Sequence, residues 1–541
     1  MANQNQARRL FFGCFMAMIA TAFGFAVRGG VLNDWGTQFH LTEEQLGIIQ
    51  GVGLYPFAIS IILFSLIIDR IGYGTAMTFA FLCHIISAVL TIFAPNFGVL
   101  YLATFIYALA NGTVEAVINP VVATIYKDNK THWLNILHAG WPGGLVLGSL
   151  LAIGMATLNE HGLIPAGMHL WQWKMTILII PILLYGIILF GLRFPVQERV
   201  EAGVSYREML AEFGWGGAYI VSFLIIMAIS QILTVLNGAT IAGTTVHVGS
   251  IWVPYALAAA VIPALIYAFY VRSFGRPMFI FLLLVMFLLA TTELGTDSWI
   301  QDIIGSVLNN PTKGTWFFIY TASIMFVLRF CAGPIVHKIS PLGLLAVCAA
   351  MAAVGLYWLG NSGTSLAMLI SAATLYGVAK TFFWPTTLGT VSEQYPRGGA
   401  LLLNAMGGVG MIAVGTIGGP AIGTLQDLDL NYAVAQAAPA VHAKLVAEKE
   451  GLFSQYQYID KAKIESADLT KPQQEELSSL ETTTKQHALA KIATLPAIMC
   501  VCYLILIAYF RSRGGYKAQV LTGHAADDEE FTGGLPTAME A

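Results

Sequence analysis

The chain has 541 residues, 57% of them hydrophobic and only 11% charged, with a formal net charge of −3. A soluble domain carries roughly 25% charged residues, so this supply cannot cover the surface of a water-soluble fold of this size. No basic tract offers a footing to nucleic acid, and no HExxH, P-loop or CxxC pattern points to a metal, a nucleotide or a disulfide framework.

Taken in chain order, apolar runs fall near residues 10–33, 46–68, 74–94, 98–126, 134–158 and 172–193. Each is long enough, as a helix, to cross a hydrocarbon core about 30 Å thick. The polar stretch "FPVQERVEAGVSYREMLAEFG" follows at 194–214, then runs near 216–237 and 251–271. Six more lie near 277–299, 315–336, 342–360, 365–390, 400–424 and 490–510. The pattern is six, two, six: an all-α polytopic membrane protein of about fourteen spans. The first run follows "MANQNQARR" without a clear small-residue cleavage site, so it reads as an uncleaved helix.

Four segments are expected: a six-helix bundle over 1–193, a linker with two extra spans over 194–276, a second bundle over 277–511 and a tail over 512–541. With the N-terminus inside, Lys and Arg from Arg8 and Arg9 through Lys517 cluster in the inside segments, while the short outside loops hold only Lys174 and Lys313. That asymmetry predicts both termini in the cytoplasm of a cytoplasmic-membrane protein. The long segment 426–489 then lies outside. Its Ala, Glu, Lys and Gln content, as in "AVAQAAPAVHAKLVAEKE", predicts a solvated helical cap.

The halves repeat. "SLIIDRIGYG" (65–74) is matched by "GPIVHKISPLG" (333–343), and the stripe Gly140, Gly144, Gly148 by Gly415, Gly419, Gly423. The stretch "GVGMIA" (408–413) fits GxGxxA spacing but has no strand before it, and it reads as helix packing.

Two six-helix bundles with "DRIGYG" between spans two and three resemble the major facilitator superfamily of secondary transporters. Asp69, Arg70 and Gly72 match its loop motif, a gate element on the cytoplasmic side, while Ser65 and Tyr73-Gly74 depart from it. "LNDWGTQFHLTEEQLGIIQGVGLYPFAI" (32–59), "NGTVEAVINPVVATIY" (111–126), "LNILHAGWPGG" (134–144) and "TTELGTDSWI" (291–300) are similar to the fucose–galactose–glucose:proton symporter branch. His138 stands where that branch often has Gln, Val31 where it often has Asn, and Arg28 and Lys380 are additional cations.

Charges in hydrocarbon cost about 2.5–3.5 kcal/mol each even on the lenient insertion scale, so they face a cavity or one another. Away from the interfaces stand Arg28, Glu115, Glu293 and Lys380, with Arg329 nearer the inner end of its span. The resemblance implies that their helices line one central cavity. Two readings follow: neutralising ion pairs that hold the halves together, or a substrate and coupling site. Glu115, able to take up and release a proton, is the expected coupling acid, and by resemblance Asp34 is the second. Asn119 lies one turn from Glu115 on the same face, and Pro120 loosens the helix beside it. Asn135 and His138 share a face of the fifth span opposite the glycine stripe. Trp141 and Trp384 are candidates to stack on a sugar ring, whereas His84 reads as structural. The expected substrate-binding set is therefore Asn119, Asn135, His138, Glu293, Lys380, Arg28 and Trp384.

The sequence thus predicts a proton-coupled carrier of a sugar or sugar-like solute, working as a monomer in a lipid bilayer without cofactor or metal. An organic-anion or sugar-acid carrier is the alternative, since Arg28 and Lys380 can bind a carboxylate. A non-transporting receptor on the same scaffold is a third reading. An enzyme is disfavoured for want of a catalytic constellation.

Overall fold

In the computed structural model every expected span overlaps a helix, with residues 46–48, 50, 235–237 and 251 of those spans outside the described residues. The structure describes residues 4–41, 49, 51–165, 167–234, 240–241, 244–245, 252–452, 454–464, 467, 469–519 and 521. The first bundle comprises α1 (Gln4–Gly29), α2 (Tyr55–Ile71), α3 (Tyr73–Ile92), α4 (Phe97–Ile125), α5 (Lys130–Glu160) and α6 (Leu170–Leu189). The extra pair is α7 (Tyr206–Thr234) and α8 (Val253–Val271). The second bundle holds α9 (Pro277–Val307), α10 (Pro311–Arg329), α11 (Pro341–Gly360), α12 (Leu366–Gln394), α13 (Pro396–Ala437) and α14 (Thr494–Ser512). Twelve described helices are long and apolar enough to cross a membrane; α2 and α10 fall short by that measure but pack among them. The chain is an integral, multi-pass membrane protein.

Local chemistry sets the helix boundaries. Asn96 Oδ1 accepts the Val99 N–H at 3.1 Å to start α4, and Asn310 Oδ1 does the same for Lys313 at 3.2 Å, with Pro311 at the first position of α10. The repeat seen in the sequence is also a repeat of geometry. Gly72 (φ 81°) separates α2 from α3, and Ser340 (φ 66°) opens α11 at the matching place. The second is a non-glycine residue in left-handed backbone, steadied by its hydroxyl, which accepts the Gly343 N–H at 3.2 Å.

The glycine stripe of α5 packs as its spacing predicts. A Cβ at Gly144 would sit 2.5 Å from the Ile19 carbonyl oxygen and one at Gly148 2.8 Å from that of Phe23, so α5 lies flush on α1. The matched stripe in α13 does not form an equivalent seam. There the close approaches to α9 are made by Gly410, against Met286, and Gly418, against Thr291. A π-helical stretch at Val414–Gly418 shifts the face that α13 presents.

One face of the molecule collects the first and last described segments of the chain. Gln6 Nε2 donates to the Arg193 carbonyl at 3.0 Å, and the Gln519 N–H donates to that of Glu393 at 2.8 Å. On the opposite face, residues 426–489 are only partly helical. After α13 and the short Pro439–Leu445 helix, Val446–Glu450 pairs antiparallel with Gln455–Ile459, before the Lys471–Ile492 helix leads into α14. "AVAQAAPAVHAKLVAEKE" is therefore part helix and part strand. Pro439 interrupts the first helix, and the alternation of "QYQYI" recruits "VAEKE" as a strand partner that buries Ile459. The segment has its own small core of Leu430, Val434, Val441, Leu445, Ile459 and Leu477.

Candidate functional site

At the centre of the bundle, Glu115 and Asn119 from α4, His138 from α5, Glu293 from α9, Arg329 from α10 and Trp384 from α12 face one cleft. The acid and amide of α4 are joined: Asn119 Nδ2 donates to Glu115 Oε2 at 2.7 Å. His138 Nε2 lies 2.9 Å from Asn119 Oδ1, so the ring donates and the amide is fixed in orientation. Glu115 is 7% exposed and forms no ion pair among the described residues. Glu293 does form one, with Arg329 Nη2 at 3.3 Å. A π-helical turn at Thr291–Gly295 carries Glu293.

Three prolines account for much of the polar chemistry at this level. A proline has no N–H to return to the carbonyl four residues earlier, so that oxygen is left for another donor. Pro120 frees the Ala116 oxygen, which accepts Asn404 Nδ2 from α13 at 2.9 Å. Pro142 frees that of His138, which accepts Arg329 Nη1 at 2.5 Å. Pro385 frees that of Thr381, which accepts Arg329 Nε at 2.8 Å. The first two bonds cross between the halves. Arg329 thus fills its donors with one carbonyl from each half and with Glu293.

Other expected residues lie elsewhere. Arg28 is inside the first bundle, not at the cleft: its Nη2 donates to Ser87 at 2.9 Å and its guanidinium sits 4.0 Å over the Tyr107 ring. Lys380 pairs with Asp297 on α9 and is fully buried. Neither cation touches Glu115. Asn135 holds the halves together nearer the face with the termini, donating to Thr386 Oγ1 at 3.2 Å. Asp34 lies 3.4 Å from Lys174, its side chain 41% exposed. His84 is structural, bonded at 2.8 Å to both Tyr185 and Asn111. Trp141 joins Trp384 in lining the cleft. Arg329, Asn404 and Asp297 were missed as site residues. The proline four residues beyond each crossing carbonyl was the available signal.

Below the cleft the halves are clasped. Glu393 accepts the Thr131 N–H at 3.2 Å, and its second oxygen accepts the Tyr516 hydroxyl at 2.8 Å. Asp69 of the loop motif pairs with Arg199 of the linker at 2.5 Å, both buried, and the Gln197 amide sits against Asp69 and the Ala400 N–H. Arg70 lies 5.5 Å over the Tyr206 ring. The cleft itself holds about 30 Å³, room for little more than one water, whereas small-molecule pockets run to about 300–1,000 Å³. It is closed.

The Major Facilitator Superfamily model matches residues 11–419. The chain belongs to the major facilitator superfamily. It is a transporter, not an enzyme. Among solved members of the superfamily it is similar in fold to the E. coli fucose:proton symporter FucP, captured in an outward conformation (TM-score 0.55, 14% identity, 92% of this chain and 98% of that one). The proton:xylose symporter XylE (0.56, 12%, 92% and 95%) and the human organic anion transporter MFSD10 (0.56, 12%, 92% and 99%) are similar in the same way. A curated relative, the gentisate transporter of Corynebacterium glutamicum, is 23% identical over 193 residues. That match spans 35% of this chain and 41% of the relative, less than half of its length.

Proposed function

We propose that this superfamily member is a proton-coupled symporter of a sugar or sugar-like solute, with Glu115 as the coupling acid. One observation carries the reading: of the two glutamates in the cleft, Glu293 is held by Arg329, while Glu115 has an amide partner and no cation among the described residues. Water reaches a carboxyl group so placed only when the cleft opens, so its exchange of a proton follows that access. Asn119 and His138 supply the donors and acceptors that a hydroxylated solute needs, and Trp141 and Trp384 the flat apolar walls. The solute enters when the halves rock apart, and the clasp at Glu393 and Thr131 is the contact that must break for release on the other side. We place that side in the cytoplasm, with both termini, in the cytoplasmic membrane, and the unit is a monomer.

Reconstituted vesicles test this. Glu115→Gln keeps the shape and the hydrogen-bonding capacity but cannot exchange the proton. Uphill uptake should vanish while counterflow persists. Normal uphill uptake by the variant would remove Glu115 from the coupling role.

A second reading, an organic-anion carrier, is favoured by the position of Arg329 in the cleft and by the gentisate relative. A solute carboxylate would compete with Glu293 for the guanidinium. Inhibition of uptake by carboxylates but not by neutral sugars would select it.

A further inference from the structure

A larger cavity lies away from the central cleft, on the face opposite the termini. It measures about 510 Å³ and is built from three parts of the chain. The extra helix α7 gives Gln231, α9 and α13 give Trp299, Gly423 and Gln426, and the insertion adds Tyr456 and Lys485. Its volume falls in the range of small-molecule pockets, about 300–1,000 Å³.

Two features of its wall point to a ligand. Gln426 is 7% exposed, and its amide nitrogen has no hydrogen-bond partner among the described residues. A buried amide donor left unmatched costs free energy, and a turn of the Gln426 side chain toward the cavity would bring it to an oxygen acceptor there. Beside it stands the Trp299 indole, 3.4 Å from where a Cβ on Gly423 would be, so a larger side chain at 423 would crowd the ring where it lines the cavity. The charges around the rim are already matched. Lys485 pairs with Asp302 at 2.8 Å and Glu481 at 3.0 Å, Lys461 pairs with Glu481, and the Tyr456 hydroxyl donates to Asp427 at 2.8 Å. The cavity therefore does not select for net charge.

We infer that this cavity is a second binding site, for a small ring solute rich in oxygen acceptors, which stacks on Trp299 and accepts from the Gln426 amide. Both the insertion and α7 are needed to enclose it. Its walls share no residue with the central cleft. The inference is independent of which solute the centre carries.

The test uses the full-length protein in detergent, with D-xylose and gentisate as separate probes and tryptophan fluorescence as the readout. Three variants are compared with the wild type: Asn119→Ala, which impairs the centre, Gln426→Leu, and Gly423→Leu, which fills the space beside Trp299. Thermal unfolding confirms that each is folded. A saturable signal from at least one probe should survive Asn119→Ala and weaken about ten-fold or more in Gln426→Leu and Gly423→Leu. A signal lost only in Asn119→Ala would overturn the second site and leave the central one standing. A signal from neither probe in any protein would overturn the second site, and would separately remove both probes as central ligands.

Discussion

Arg329 donates from α10 to the main-chain oxygen of His138 on α5, 2.5 Å away across the boundary between the two halves. The same histidine's ring holds Asn119, which holds Glu115. The proposed coupling acid and the contact between halves therefore meet at one residue, through its ring on one side and its carbonyl on the other.

Arg329→Gln should be among the most damaging single changes. It leaves Glu293 buried without its cation, a loss of about 3–5 kcal/mol for a broken buried pair, and frees the two carbonyls as well. Arg329→Gln combined with Glu293→Gln should be more stable than Arg329→Gln alone. Thermal unfolding in detergent measures both. Equal stability would show that the pair is not coupled.

Lys380 and Asp297 form a pair of unequal burial, with the lysine side chain 0% and the aspartate 13% exposed. Removing the aspartate strands a fully buried ammonium, whereas removing the lysine leaves an acid that reaches water. Asp297→Asn should therefore destabilise more than Lys380→Met, and the double change to Met and Leu should recover most of the loss. The reverse order of the single variants would contradict the burial seen here.

Asn119→Ala should weaken solute binding by about five- to a hundred-fold, the value of one to two hydrogen bonds in a desolvated site. Pro120→Ala acts differently. It restores an N–H that competes with Asn404 for the Ala116 carbonyl, so the resting closed form should loosen while affinity changes little. Equilibrium binding separates the two. A large affinity loss in Pro120→Ala alone would place the proline in the site itself.

The clasp below the cleft predicts an accessibility change. Glu393→Gln weakens the acceptor shared by Thr131 and Tyr516 and should expose residues between α5 and α12 to a water-soluble thiol reagent. A cysteine introduced at Thr386 reports this, since Thr386 is fully buried. Its labelling rate should rise several-fold. An unchanged rate would mean that other contacts keep this side shut.

The positions of the apolar helices, the repeated turn and the Glu115–Asn119 unit were legible because each depends on local pattern: apolar run length, a turn recurring in the second half and the i, i+4 relation of a helix. The partners of the cations were not. Arg28 and Lys380 were grouped with Glu293 and Glu115 by depth and by the resemblance that puts their helices around one cavity, and neither says which way a side chain points around its helix. Arg28 turns into its own bundle, toward Ser87 and Tyr107, and Lys380 turns to Asp297, one turn beyond Glu293. The second glycine stripe misled for a related reason. A single π-helical turn rotates every residue after it, and nothing in "VGTIG" announces one. The strand pair in the insertion was hidden by a composition suited to helix.

The crossing bonds at Ala116 and His138 use main-chain oxygens exposed by prolines, and Gln231 of the extra helix takes another such oxygen, that of Thr416, four residues before Pro420, at 2.8 Å. A main-chain acceptor is present whatever side chain the residue carries. In a saturation mutagenesis screen, positions 116, 381 and 416 should tolerate small replacements, while 120, 142, 385 and 420 should not tolerate replacement by alanine. Sequence drift in this protein would then be free at the contact and forbidden one helical turn away, the inverse of what a map of touching side chains would suggest.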